Sequence, residues 1–300
     1  MIEKNFGWWP RDSVVDARLT HAEPLPTHAD SVAAVRNDPR AYGDFYYPPL
    51  VEVGRITGET KAPPQVPAVI YPLPVTHRIS ATESWMDEEY LNFAIVLMGL
   101  VDGMRLIPEG WVHFYKAPIA PGKLCDLFCD AREIAEVIYE AANWWQQSTR
   151  EVRRAMFGAI HWFCFSGLYQ HEFEEFAAKY IVLDTLDWIH RKLTGERPGA
   201  HATRAFKLAK VYDLQVPAWA VVQKKTCRLA EIRNALIHEG QFGGEPIGLA
   251  NLPETSLTLE FGHFLIRLII AILGVKCLYI KSPTNTRSRH GIDLLQRNLT

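Results

Sequence analysis

The stretch Arg228-Leu-Ala-Glu-Ile-Arg-Asn-Ala-Leu-Ile-His-Glu-Gly240 gathers the residue types that proton transfer beside an anion requires. Arg233 carries a permanent, forked charge that suits a phosphate and the negative charge developing on it. His238 can give or take a proton, and Asn234, four residues earlier, shares its helical face and can fix the ring's orientation and tautomer. Gly240 is the residue expected just past a helix C-terminus. His238 therefore stands at the carbonyl end of the helix, where the dipole suits a cation. The combination fits acid–base work on an RNA 2′-hydroxyl. It carries one geometric demand: in a straight helix Arg233 and His238, five apart, diverge by about 140°. The last turn must distort, or a second copy must complete the site. Capping and dipole complementarity alone give the same residues a purely structural use.

The elements around this motif are predicted helices. A capping pattern at Ser84 and Asp87 opens a helix through Tyr90, Phe93, Leu97 and Val101. A second runs from about Leu124 to Ser148, with Ile134, Ile138, Ala141 and Trp145 on its apolar face. A long helical stretch from Glu151 to Leu193 needs a break near Gly158 or Gly167, and Gly195 and Pro198 end it. A fourth helix covers Ala202 to Val211. Pro217 opens the helix that carries the motif, since proline suits a first helical turn. A loop over Gln241 to Pro253 leads to a last helix, Ser256 to Gly274, and the tail after Lys281 is expected to fray. On this reading Lys224, Lys225 and Arg228 precede the motif on its own helix. They either track an RNA backbone or form a solvated face, and Arg204, Lys207 and Lys210 pose the same choice.

The first 75 residues are of another kind. They hold eleven of the nineteen prolines, which block helix interiors, together with Trp8, Trp9, Tyr42, Phe45, Tyr46 and Tyr47. Short strands are expected at Leu50–Val53 and Ala68–Leu73. The domains implied are a mixed α/β region over 1–120 and a helical domain over 121–300, so the fold class is mainly α.

Arg-Asn-x-x-x-His followed by Glu-Gly at a helix end resembles the signature of the HEPN superfamily. The aromatic-rich segment Glu172 to Trp188 is similar to that family's first long helix. Phe261 to Gly274, with Phe264-Leu-Ile-Arg267 inside it, is similar to the helix that follows the motif. The resemblance spans about residues 150 to 275 and implies an up-and-down helical bundle that pairs through the motif helix as a homodimer. It implies a metal-independent endoribonuclease needing no cofactor, toxin-like or acting in anti-phage defence, with an antitoxin or regulatory protein as a further partner. In that frame Arg233 binds the scissile phosphate, His238 activates the 2′-hydroxyl or protonates the 5′-oxygen, and Asn234 positions either. The products are a 2′,3′-cyclic phosphate and a 5′-hydroxyl. The alternative within the same family is a non-catalytic module that binds RNA, a nucleotide or a protein.

Other motifs point elsewhere less strongly. A formal net charge of −2 excludes a uniformly basic coat but not a local patch. Cys125, Cys129, Cys164, Cys227 and Cys277 are an odd set in apolar contexts and read as reduced residues of a cytoplasmic protein. Cys125 and Cys129 are spaced as one helical turn, without the partners a zinc site requires. His161 and His171 lack a His-Glu-x-x-His pattern and read as core histidines. Glu172, Glu174 and Glu175 read as a solvated face, and the Trp8-Trp9 and Trp144-Trp145 pairs as packing residues, ahead of metal-assisted or base-stacking uses. Leu257 to Ile280 is greasy, but Glu260, His263, Arg267 and Lys276 argue for a buried helix and no membrane contact. No phosphate-binding glycine loop, dinucleotide fingerprint or Gly-x-Ser-x-Gly elbow is present.

Overall fold

The computed structural model describes residues 1–48, 70–169, 171–197, 199–247 and 255–295. The chain divides into two compact units, Met1–Leu124 and Cys125–Thr300. The expected strand at Leu50–Val53 lies outside the described residues, as do Pro198 and the end of the loop before the last helix.

In the first unit the prolines do not prevent a sheet. Five antiparallel strands pair in the spatial order 15–16, 20–24, 77–81, 2–7 and 107–108. Ile2 faces Ala81 and Phe6 faces His77, and the alternation puts Phe6, Ile79 and Ala81 in the core. Ile70–Tyr71, within the expected Ala68–Leu73 strand, pairs with His113–Phe114. Helix α1 is His28–Arg36 and helix α2 is Glu88–Val101. Asp87, rather than Ser84, caps α2 by accepting from the Tyr90 amide at 2.9 Å. Trp8 and Trp9 are buried. Trp9 Nε1 donates to Asp102 Oδ2 at 2.6 Å, and Arg11 Nε donates to Asp102 Oδ1 at 2.8 Å, so these buried aromatics serve packing and not base stacking.

The second unit is helical: α3 is Ala131–Gln147, α4 Arg150–Ser166, α5 Glu172–Thr194, α6 Arg204–Val211, α7 Arg228–Asn234 and α8 Thr255–Ile272. Helix α3 starts later than the apolar pattern suggested. Asp130 and Glu133 exchange a reciprocal capping box, each bond 2.8 Å, which fixes the first turn there. Cys125 and Cys129 consequently lie ahead of α3, flanking the strand Leu127–Phe128, and not on one helical turn. The long helical stretch breaks at Gly167, one of the two expected positions, and α4 packs against α5 while α5 packs against α8. His161 is half-buried and stacks between Phe157 and Phe165. His171 is exposed, a correction to its expected core position, because it precedes α5 and lies on Phe173.

Helix α8 is held at both faces. A Cβ on Gly262 would stand 2.7 Å from Lys179 Nζ, so glycine lets this buried lysine of α5 reach Glu175 and the Thr258 carbonyl. Arg267 is 1% exposed. Its Nη2 donates to Asp126 Oδ2 at 2.8 Å, and Nη1 donates to the Tyr279 hydroxyl at 3.0 Å. Its Nη2 also donates to Ser282 Oγ at 2.7 Å, and Tyr279 donates to Asp126 at 2.6 Å. His263 Nδ1 meets the Thr284 carbonyl at 2.8 Å. This knot ties residues 278–284 to α8, and His290–Gly291 then pairs in parallel with Leu127–Phe128. The segment from Lys281 to 295 is therefore folded back and does not fray. Among the described residues no helix is long and apolar enough to cross a membrane.

Candidate active site

The helix expected from Pro217 is in fact three pieces. Ala218–Ala220 forms a single 3-10 turn. Val221 is extended, and Gln223 and Thr226 bridge across a tight turn with Lys224 at φ +60°. Helix α7 begins only after Cys227. Lys224 and Lys225 thus sit on an exposed turn ahead of the motif helix and not on it, while Arg228 is the first residue of α7. The apolar pattern across Ala218–Val222 is met by burial of Trp219 and Ala220 in a non-helical form.

From Ala235 to Glu239 the helix widens into a π turn, closed by the Gly240 amide donating to the Ala235 carbonyl. A ring closed five residues apart brings a residue back over the one five positions before it. That narrows the divergence demanded of a straight helix enough for the two side chains to meet. Arg233 Nη1 meets His238 Nε2 at 3.2 Å and donates to Asn234 Oδ1 at 3.1 Å. Arginine only donates, so the His238 Nε2 lone pair faces Arg233 and the neutral ring carries its proton on Nδ1; this tautomer is assigned from the network. Asn234 was expected to orient His238 directly. It holds the Arg233 fork instead, and the arginine contacts the ring.

Gly240, at φ +65°, ends the π turn, and the chain enters a hairpin in which Gln241–Phe242 pairs with Glu245–Pro246. Gly243 and Gly244 supply the two positive φ angles of a two-residue turn. The Phe242 ring lies 5.6 Å from Phe176 of α5. The hairpin packs on the π turn, so this aromatic contact ties the distorted turn to the helical core.

Arg233 is half-buried, whereas Asn234 and His238 are exposed. The guanidinium lies 5.9 Å from the centre of the Tyr180 ring. Among the described residues it has no carboxylate partner. Glu231 and Glu239, the acids that would tie it down as a scaffold element, do not pair with it. Arg204 and Lys207 differ in this respect, being bonded to Asp184 and Glu196. They are neutralised on the surface and do not form an open basic track.

Two residues at this place were not singled out in the sequence. Tyr180, on α5, is largely buried, and burial first and Asp184 second push its hydroxyl up to about 12. Its hydroxyl lies 3.2 Å from Nδ1 of His201. His201 opens a 3-10 turn, His201–Thr203, that packs against α7. The His201–Arg204 spacing is the one local signal that could have drawn notice.

Among the described residues no group of three or more His, Cys, Asp or Glu could hold a metal. The arrangement offers a base, a forked cation and an aromatic support. Comparison with known protein families, curated proteins and solved structures finds no match to this chain.

Proposed function

We propose that the chain is a metal-independent endoribonuclease whose active centre is Arg233, Asn234 and His238. One observation carries this reading: the π turn joins an arginine that has no carboxylate partner among the described residues to a solvent-facing histidine within a single chain. π turns of this kind occur often at functional sites, because they sacrifice regular bonding for side-chain placement.

In the reaction so assigned, a phosphodiester anion displaces the Arg233–His238 contact and takes the Arg233 fork. The freed Nε2 lone pair of His238 removes the proton of the ribose 2′-hydroxyl. The 2′-oxygen then bonds to phosphorus and the bond to the 5′-oxygen breaks. The departing oxygen takes a proton from the solvent that reaches this exposed site. A 2′,3′-cyclic phosphate and a 5′-hydroxyl remain, and Arg233 carries the charge that builds on the non-bridging oxygens. Asn234 keeps the fork aimed.

The toxin-like or defence role, and pairing of two copies through the motif helix, rest on the HEPN resemblance alone. Ile237, 58% exposed beside His238, is the apolar residue such a pairing would cover. The test is incubation of purified protein with total RNA in excess EDTA. Shortening of the RNA by the wild type, absent with folded Arg233→Ala and His238→Ala, supports the reading. Equal shortening by all three would assign the activity elsewhere. Tight RNA binding without shortening would favour the non-catalytic module.

A further inference from the structure

His201 is held in a way that a structural pin on the surface does not need. Arg204 Nη1 meets its Nδ1 at 2.9 Å, and the Tyr180 hydroxyl approaches the same nitrogen at 3.2 Å. Since arginine can only donate, Nδ1 accepts and the ring's proton must sit on Nε2. Arg204 is itself fixed by a hydrogen bond to Asp184, with Asp187 3.5 Å from its Nε. The tautomer is therefore set by a chain of contacts reaching back into α5. The side chain remains 41% exposed. Both contacts are made to Nδ1, and among the described residues none is made to Nε2, the other ring nitrogen.

The same Tyr180 ring supports the Arg233 guanidinium, and the turn bearing His201 packs on the helix bearing Arg233. One aromatic side chain thus joins the two groups, with its face to Arg233 and its hydroxyl to His201. Burial, then Arg204 and Arg233, lower the His201 pKa from its usual 6.5, against the opposing pull of Asp184 and Asp187. Near neutral pH the ring is uncharged, yet it offers one N–H in a fixed direction. An N–H donor preset where negative charge develops stabilises it without reorganisation. A neutral imidazole is sufficient for that task.

We propose that His201 is a second phosphate-binding residue of this site, its Nε2–H donating to a non-bridging oxygen of the phosphodiester held by Arg233. Arg204 and Tyr180 are positioning residues that act through it. The inference rests on the ribonuclease reading, and its test separates the two.

The substrate is a uridylyl-adenosine dinucleotide, used as the phosphodiester and as each of its two phosphorothioate diastereomers, in excess EDTA. Sulfur accepts hydrogen bonds more weakly than oxygen, so wild type should discriminate between the diastereomers. His201→Ala should lower kcat by about 10²-fold, the usual cost of one such donor. It should also shrink that discrimination to the part that Arg233 alone supplies. His201→Gln, whose amide N–H can stand near the imidazole Nε2, should recover most of the loss. Matching circular dichroism of the three proteins removes misfolding as the cause. Discrimination as large in His201→Ala as in the wild type, or unchanged kcat, overturns the assignment while leaving the ribonuclease reading intact. A wild type that cleaves none of the substrates removes the reading and the inference with it.

Discussion

Arg267 and Arg233 stand 34 positions apart in the chain and should fail in opposite ways when each is replaced by methionine. Arg267→Met removes the partner of a buried carboxylate, leaving Asp126 with the Tyr279 hydroxyl bond of the pair. Breaking a buried ion pair from one side costs about 3–5 kcal/mol. For a unit of this size that corresponds to a fall in Tm of roughly 6–20 °C. Arg233→Met loses two exposed hydrogen bonds and the 5.9 Å contact with the Tyr180 ring, together worth about 0–1 kcal/mol and hence at most about 4 °C. Its loss should be read instead in RNA cleavage. Thermal and urea denaturation followed by circular dichroism measure both. The double change Arg267→Met with Asp126→Leu should recover much of the stability, because no charge is then left buried. A cost for Arg267→Met under about 1 kcal/mol, the exposed-pair range, or an equal loss from Arg233→Met, would show that burial does not separate the two arginines.

Gly103→Ala should destabilise severely, since its Cβ would stand 2.6 Å from the Gly122 Cα at a φ of +62°. Gly240→Ala, at φ +65° with nothing near, should cost only about 1 kcal/mol of backbone strain in urea titrations. His77 is buried and its pKa is pushed down from 6.5 to about 3, by burial first and His28 second. The unfolded chain therefore takes up a proton below pH 6.5 that the folded one refuses. Stability is full above 6.5 and falls by up to about 1.4 kcal/mol per pH unit toward pH 3. His77→Phe should remove that slope from the difference between the two denaturation curves. Replacing Lys224 or Lys225 by alanine should flatten the dependence of log Kd for single-stranded RNA on log salt by about 0.7 each, if these exposed lysines meet phosphates.

What could be read from the sequence followed regular periodicity. The break at Gly167, the end at Gly195 and the stop at Gly240 each coincide with a glycine interrupting an apolar stripe. The later start of α3 was hidden because Leu124 and Leu127 continue the helical spacing into a segment that is extended. The Pro217 start failed for a similar reason, with Trp219 and Ala220 buried from a 3-10 turn. Arg233, Asn234 and His238 were visible as residue types, but the widening that joins the first to the last leaves no residue-type pattern. His201 and Tyr180 were illegible as site residues because each meets the motif only through tertiary packing, 32 and 53 positions before Arg233.

The most direct test of the central claim is end-group analysis of a defined RNA after incubation in excess EDTA with wild type, Arg233→Ala and His238→Ala. The wild type should leave 2′,3′-cyclic phosphate and 5′-hydroxyl ends, and both folded variants should leave the RNA intact. Ends bearing a 3′-hydroxyl and 5′-phosphate, or cyclic ends that persist in either variant, would contradict that claim.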